Sequence, residues 1–274
     1  MENKCKISFI GGGNMASALI GGLAGTVTDA ANIHVVDLNA EALQKLVNQF
    51  GVTTATEIDA VVSGSDVVVL AVKPQQMQQV VSALLPFMSG QLVLSVAAGI
   101  QSKDLSRWLN GHAAIVRCMP NTPALIGKGI TGMVATAGVS AQQRATADLI
   151  LRAVGETVWL DDEALIDSVT AISGSGPAYV FYFIEAMQQA AQELGLTPKQ
   201  GNALALATFV GASHLAAESA DPISVLRERV TSKGGTTYAA LQSLDASGVK
   251  EAIVTAAKAA AVRGKELGEE FGRD

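Results

Sequence analysis

Two glycine-rich stretches and one acidic side chain have the residue types and spacing to do chemistry. Gly11, Gly12 and Gly13 are followed by Asn14, Met15 and Ala16, so Gly11, Gly13 and Ala16 fit the spacing G-x-G-x-x-A. In that pattern the first glycine permits a tight turn and the second lets the backbone approach a pyrophosphate. The small third residue lets a helix pack against a strand. A helix opening there turns free N–H groups and the positive end of its dipole toward phosphate. Alone the pattern is weak, but here an apolar run at residues 6–10 precedes it and Asp37 closes a second run at 33–36. An acidic side chain at that place hydrogen-bonds an adenosine 2′-hydroxyl and repels a 2′-phosphate. The expected ligand is a dinucleotide, NAD(P)H, and Asp37 leans toward NADH, with Leu38 where an arginine would meet a phosphate. A glycine turn that binds nothing is the plain alternative.

Three more segments fall where strands should end on one side of a sheet, the side on which open α/β sheets bind ligands. Ala71, Val72, Lys73 and Pro74 close one apolar run, with Lys73 placed to face the cofactor and Pro74 fixing the turn. Ser95, Val96, Ala97, Ala98 and Gly99 close the next, and small side chains such as Ala97 leave room for a nicotinamide. In the third, Pro120 and Pro123 stiffen a loop in which Asn121 is placed to hydrogen-bond a cofactor amide or ribose. A solvated lysine and a merely rigid connection are the alternatives for Lys73 and for the proline loop.

The second glycine-rich stretch reads Thr231, Ser232, Lys233, Gly234, Gly235, Thr236, Thr237. Glycine backbone at a helix start makes a nest of N–H groups that suits a carboxylate as well as a phosphate. The hydroxyls of Ser232, Thr236 and Thr237 add donors. The segment from Ile172 to Tyr179, with Ser173, Gly174, Ser175, Gly176 and Pro177, reads as a second hinge leading into a helix. A helix cap with a tight turn is the alternative, but the density of glycines and hydroxyls over 231–237 favours binding. Metal chemistry is not expected. Cys5 and Cys118 have no ligand spacing, and His34, His112 and His214 are isolated.

The elements that must position these residues follow from periodicity. Apolar runs at 6–10, 33–36, 52–54, 66–72, 92–96, 114–118, 132–135 and 157–160 predict strands, and 14–24, 40–50, 75–87, 103–109 and 141–154 predict helices between them. The alternation implies an α/β domain over residues 1–161, a parallel sheet with helices on both faces. Beyond Asp161 and Asp162 no strand is expected. Alanine-rich stretches at 163–172, 177–194, 198–219, 235–247 and 250–271 predict an all-α domain over 162–274. Pro177 and Pro198 suit first turns, and Gly195 and Gly248 suit positions just past helix ends. Ala256, Ala257, Ala259, Ala260 and Ala261 put small apolar residues on more than one helix face, which a homodimer of interleaved helices would bury.

Composition narrows the classes. Hydrophobic residues make up 49% of the 274, enough for a packed core. No apolar run reaches the ~18–20 residues of a membrane helix. The start, from Met1 to Lys6, passes directly into a strand-like run without the features of a signal peptide. A cytoplasmic protein with no membrane partner is expected. A net charge of −6 without a basic cluster, and 4% aromatics, argue against nucleic acid.

In chain order, Gly-Gly-Gly-Asn-Met-Ala at 11–16, Ala-Val-Lys-Pro at 71–74, Ser-Val-Ala-Ala-Gly at 95–99, Arg-Cys-Met-Pro-Asn-Thr-Pro at 117–123, Ser-Gly-Ser-Gly-Pro-Ala-Tyr at 173–179 and Thr-Ser-Lys-Gly-Gly-Thr-Thr at 231–237 resemble the pyrroline-5-carboxylate reductases over essentially the whole chain. The last three are the specific ones; the first is shared by many dehydrogenases. The resemblance implies NAD(P)H-dependent reduction of the cyclic imine (S)-1-pyrroline-5-carboxylate to L-proline, the last step of proline biosynthesis. It implies a Rossmann-like N-terminal domain, a helical dimerisation domain, an active site at the dimer interface and, in some members, dimers assembled into decamers. By the same resemblance Ser232, Gly234, Gly235, Thr236 and Thr237 bind substrate. The Ser232 hydroxyl and the loop N–H groups take the carboxylate, and Thr237 lies near the ring nitrogen as hydrogen-bond partner and proton relay. Gly11, Gly13, Asn14, Met15, Ala16, Asp37, Ala71, Val72, Lys73, Pro74, Ala97 and Asn121 form the expected cofactor set. Members often carry Asn, Ser or Arg around the end of the second strand, so Asp37 and Leu38 depart from the pattern. The alternatives are a related two-domain dehydrogenase or imine reductase acting on another small carboxylate, and a non-catalytic NAD(P) sensor. Hydroxyacid dehydrogenases of this build need a lysine base after the hinge, and no Lys or His lies between 173 and 198.

Overall fold

The computed structural model describes residues 5–273. Met1 to Lys4, part of the start on which the expectation of no signal peptide rests, and Asp274 lie outside the described residues.

Eight strands form one sheet: β1 (Ile7–Ile10), β2 (Ile33–Val36), β3 (Thr53–Ala55), β4 (Val67–Leu70), β5 (Leu92–Ser95), β6 (Ile115–Met119), β7 (Gly129–Ala135) and β8 (Gly155–Trp159). Their order is β3-β2-β1-β4-β5-β6-β7-β8. Every position of β1, β2, β4 and β5 is buried, as expected for apolar runs covered by helices on both faces. Helices α1 (Asn14–Leu23), α2 (Ala40–Phe50), α3 (Met77–Leu84), α4 (Ser102–Trp108) and α5 (Ala141–Arg152) connect the strands. Side chains alternate between two cores. Val67 and Val69 join Phe9, Leu19 and Leu94 on one face, while Val68 and Leu70 join Ile10, Val81 and Leu105 on the other.

The sheet is not wholly parallel. β6 and β7 run antiparallel, with Arg117 opposite Val134. Only residues 120–128 join them, too few for the crossover of a dozen or more that a parallel pair needs.

Helical structure follows β8: α6 (Leu165–Val169) runs into a π-turn at Thr170–Gly174, then come α7 (Gly176–Glu193), α8 (Pro198–Glu218), α9 (Ile223–Arg229), α10 (Thr236–Ala246) and α11 (Val249–Phe271). The alanine pattern does not foretell α9, a short helix opening after Pro222. The chain divides into two compact units, one of Met1–Ser175 with Ala259–Asp274, the other of Gly176–Lys258. By contact the sheet unit extends through α6 to Ser175, and the end of α11 returns to it. α6 belongs with the sheet because Ile166 is buried and two acids beside it pair with a strand residue. The end of α11 comes close because it presents glycine. A Cβ at Gly264 would sit 3.4 Å from Asp167 Oδ1, and one at Gly268 would sit 3.3 Å from the Gly99 carbonyl oxygen.

In the second unit α7 and α8 form a hairpin. Gly195 ends the first turn-over with φ +93°, and Thr197 with Gln200 makes a capping box ahead of Pro198. Among the described residues of this unit only Gly201 and Ala205 are buried. Phe181 is 60% exposed and Tyr182 72%, and Leu204, Leu215 and Val230 are also open to solvent. Apolar surface on this scale marks a surface that another chain covers. No helix among the described residues is long and apolar enough to cross a membrane.

The strand residue that holds α6 is Arg117, 4% exposed on β6. Its Nη1 donates to Glu163 Oε1 at 3.1 Å, and its Nη2 lies 4.0 Å from Asp167. Glu163 also accepts the Ser102 N–H at 2.8 Å. Burial raises the Asp167 carboxyl above its ordinary range, with Arg117 opposing. Breaking a buried pair from one side strands the remaining charge. Arg117→Ala is therefore expected to lower the unfolding free energy by about 3 kcal/mol or more in urea denaturation. A loss below ~1 kcal/mol, the worth of a surface pair, would show that solvent already screens the cluster.

Candidate active site

The turn after β1 is built on glycine. Gly11 has φ +105°, and a Cβ there would stand 2.6 Å from the Ala71 carbonyl oxygen. Its N–H donates to Val36 O at 2.7 Å, so the turn is tied to β2 while it touches the end of β4. Gly13 differs. Its φ of −74° is ordinary, and a Cβ there would meet no atom of the chain within 4 Å. Nothing inside the protein requires glycine at 13, so the open space over it fits a group that comes from outside. Gly13 is also the N-cap of α1, with no side-chain cap and no acid in the first turn. The first N–H groups of the helix are left for an anion. Asn14 is exposed beside them, Met15 half-buried, and Ala16 fully buried where α1 meets the sheet.

Beside this turn a cleft of about 600 Å³ opens at the carboxyl ends of β1, β2 and β4. The strand order reverses there, between β1 and β4. Gly11, Val36, Asp37, Leu38 and Val72 line it together with Ile58, Gln76, Gln79 and Val80. The volume suits a nucleoside, and the walls are apolar with a few amides. Asp37 does not turn away to solvent. Its Oδ2 accepts the Gly12 N–H at 2.7 Å and its Oδ1 accepts the Asn39 N–H at 2.8 Å. Asn39 in turn caps α2 through its side-chain oxygen. Asp37 and Glu57 both line the cleft, and no lysine or arginine does. The features therefore fit a dinucleotide: a phosphate-sized opening over uncapped N–H groups, and an acid beside the adenosine end.

Ile58, Gln76, Gln79 and Val80 are missing from the sequence-based set. They come from the segment after β3 and from the start of the β4–β5 crossover, and no local motif marks them. Of the predicted residues, Ala71 packs against Gly11, and Lys73 is exposed at the start of the short helical turn Pro74–Gln76. Ala97 is buried in the core beneath the β5 loop.

Asn121 is held within the protein. It is 9% exposed, and both ends of its amide are used inside the protein. Nδ2 donates to Ser173 O at 3.1 Å and Oδ1 accepts the Ile130 N–H at 3.0 Å. These contacts use one of the two N–H donors and fix which way the amide points. The hinge expected over 172–179 is also different in form. It is the π-turn of Thr170–Gly174, in which the Ser173 hydroxyl bonds back to Val169 O. Neither cysteine is activated. Burial, with Asp66 adding to it, pushes the Cys5 thiol up to about 11, and full burial raises Cys118 further.

The second glycine-rich stretch lies in the helical unit. Thr231 is spent locally, donating to Arg227 O at 2.6 Å at the end of α9. Gly234 has φ +75° and Gly235 is the N-cap of α10, again without a side-chain cap. A Cβ at Gly235 would come 2.5 Å from Ser232 Oγ, so the hydroxyl folds over the helix start. Thr236 and Thr237 are the first two helical residues, exposed and half-buried. The turn thus gathers uncapped N–H groups and three hydroxyls, a seat for a small anion.

Comparisons with known proteins bear on both halves of the chain. Residues 163–267 match the family described as pyrroline-5-carboxylate reductase dimerisation, and residues 6–99 match that of coenzyme F420-dependent NADP oxidoreductases. The pyrroline-5-carboxylate reductase of Pseudomonas aeruginosa is 46% identical over 269 residues, 98% of each chain. The structure of a pyrroline-5-carboxylate reductase from Coxiella burnetii superposes with a TM-score of 0.91 at 39% identity, covering 97% of this chain and 99% of that one. The Plasmodium falciparum pyrroline carboxylate reductase, solved with NADP bound, gives a TM-score of 0.87 at 28% identity over 98% of this chain and 100% of that one.

The contrast between Gly11 and Gly13 can be tested. Gly13→Ala should cost the fold no more than about 1 kcal/mol, the range of an N-cap change. It should weaken NAD(P)H binding by ~10-fold or more, because the methyl stands where the phosphate must come. Fluorescence titration reads the affinity. Unchanged binding would place the pyrophosphate elsewhere.

Proposed function

This chain belongs to the pyrroline-5-carboxylate reductase family, and on that premise we infer that it reduces (S)-1-pyrroline-5-carboxylate to L-proline with NAD(P)H. The observation that carries the reading is the pairing, in one chain, of a dinucleotide cradle with a hydroxyl-rich, uncapped helix start of the kind a carboxylate needs. NAD(P)H, when bound, supplies the hydride. Gly11, Gly13 and the first turn of α1 hold its phosphates, and the β4 and β5 ends carrying Val72 and Ala97 border its nicotinamide half. The N–H groups at the start of α10 and the Ser232 hydroxyl hold the substrate carboxylate, which orients the ring. Thr237 presents its hydroxyl to the ring nitrogen and relays the proton. No side chain need act as a strong acid toward an imine that arrives protonated.

The protein works as a homodimer, with assembly of dimers into a decamer as the larger form, and it works in the cytoplasm. The bare apolar residues of α7, α8 and α9 support self-association. NADH is well accepted. The support is a cleft that offers two carboxylates and no cation to a 2′-phosphate.

Purified protein should oxidise NAD(P)H only when pyrroline-5-carboxylate is present, with proline accumulating in step. Absence of proline with either cofactor would refute the assignment. Thr237→Ala should then lower kcat by ~10-fold or more, about 1.4 kcal/mol in the barrier, with cofactor affinity unchanged. An unaltered kcat would reduce Thr237 to a helix-start residue.

Cofactor choice is read from kcat/KM for NADH and NADPH at saturating imine. NADH should serve at least as well as NADPH, and Asp37→Ser should move the ratio toward NADPH by removing charge repulsion. An NADPH preference of ~10-fold in the unmodified protein would overturn the role given to Asp37.

A further inference from the structure

The polar contact that the cofactor reading of Asn121 leaves unexplained lies at the end of the sheet unit, where the chain goes from α6 through the π-turn to α7. In a continuous helix the Ser173 carbonyl would receive the N–H of residue 177. Residue 177 is proline, which has no N–H to give. The π-turn closes with the Ser175 N–H on Thr170 O at 2.8 Å, and that leaves the Ser173 carbonyl without a backbone donor from Pro177. Asn121 Nδ2 donates to it at 3.1 Å.

Two further observations show that the contact is built. The other end of the Asn121 amide accepts the Ile130 N–H at 3.0 Å, so a donor on one side and an acceptor on the other dictate which way the amide points. Two residues earlier, Met119 packs on the same turn, and a Cβ at Gly174 would lie 2.7 Å from Met119 Cε. Met119 and Asn121 thus bracket the turn from the end of β6. π-Turns interrupting α-helices recur at functional sites, where their freed carbonyls need a partner.

We propose that Asn121 is a positioning residue for the reduction. It supplies the hydrogen bond that Pro177 cannot make and so holds the backbone of the Thr170–Ser175 turn from which the helical unit starts. The proposal rests on the reductase reading. The cofactor cradle and the Ser232–Thr237 loop belong to different units, and this turn is one of the two places where the chain passes between them, the other lying within α11.

The test is Asn121→Asp. The shape and the acceptor for the Ile130 N–H are kept, but an ionised oxygen replaces the donor to Ser173. Protonation of the new carboxyl restores a donor, and burial favours the protonated form while the Ile130 N–H opposes it. The ratio of variant to unmodified kcat should therefore be ~0.1 or less at pH 8 and climb as pH falls toward 5.5. The Kd for NADH, from fluorescence titration, should stay within ~2-fold throughout. Adding Pro177→Ala, which returns an N–H to position 177, should recover at least ~3-fold of the lost kcat. If Asn121→Asp is too unstable to assay, the same comparison is made with Asn121→Ser and Asn121→Ser/Pro177→Ala. A Kd raised ~5-fold or more, a loss independent of pH, or no recovery with Pro177→Ala would overturn the proposal. Failure of the unmodified protein to make proline would instead count against the reductase reading and is scored first.

Discussion

With no side chain at Gly11, the Ala71 carbonyl oxygen can stand 2.6 Å from where a Cβ would be, and the chain can turn at the carboxyl end of β1 between its neighbours β2 and β4. The nucleotide end of the molecule depends on this approach. It aims α1 so that the Gly13 opening faces outward, brings the Gly12 N–H onto Asp37, and places Val72 across the cleft from Asp37. Any side chain at Gly11 would push β4's end away, and the cleft between the second and fourth strands would open with it. Gly13 serves a different master, the ligand, since the chain itself leaves its Cβ position empty.

Close approach through glycine recurs at the other end of the chain. Gly264 and Gly268, one turn apart, let α11 lie against Asp167 and the Gly99 loop, while Leu267 and Phe271 cover Gly99. The final helix is thus shared. It begins among residues of the helical unit and ends as part of the unit that carries the sheet. The helical unit itself buries almost none of its apolar side chains within one chain, the pattern of helices that pack against a further surface. Its match to a dimerisation family and its bare Phe181, Leu204 and Val230 are two views of the same fact.

Buried polar groups tie the sheet to α4, α6 and the π-turn within the first unit. Arg117 would be costly in the middle of a strand were Glu163 and Asp167 not beside it, and Glu163 also holds the start of α4 through Ser102. Asn121 performs a neutral version of the same task at the π-turn. Both residues sit on or just after β6, so that one strand carries the polar anchors of the elements that follow the sheet. The helix starts at Gly13 and at Gly235 differ, leaving their backbone N–H groups uncapped. Such donors are rigid and carry no charge that must be desolvated.

The eight strands, the five intervening helices and most of the helical part are legible in the residues because each is declared locally, by a period of hydrophobicity, a capping residue or a proline. So are the two uncapped helix starts and the place of Asp37 just after β2, since each is set by residues adjacent in sequence. What escapes is everything that depends on partners distant in sequence. The antiparallel β6–β7 pair follows from a short connection, α9 lacks an alanine-rich signature, and the unit boundary after Ser175 follows from the Arg117 pairs to Glu163 and Asp167. The cleft walls at Ile58, Gln76, Gln79 and Val80 share no motif. Asn121 shows the limit most sharply: nothing in the residues around it points to the carbonyl fifty-two residues away that its amide serves. The amino-acid sequence by itself determined which elements form and which short loops can hold an anion, because those are properties of neighbouring residues. Only the tertiary structure decided how each buried polar group is satisfied, because a hydrogen bond or ion pair between distant residues exists only once the chain has brought them together.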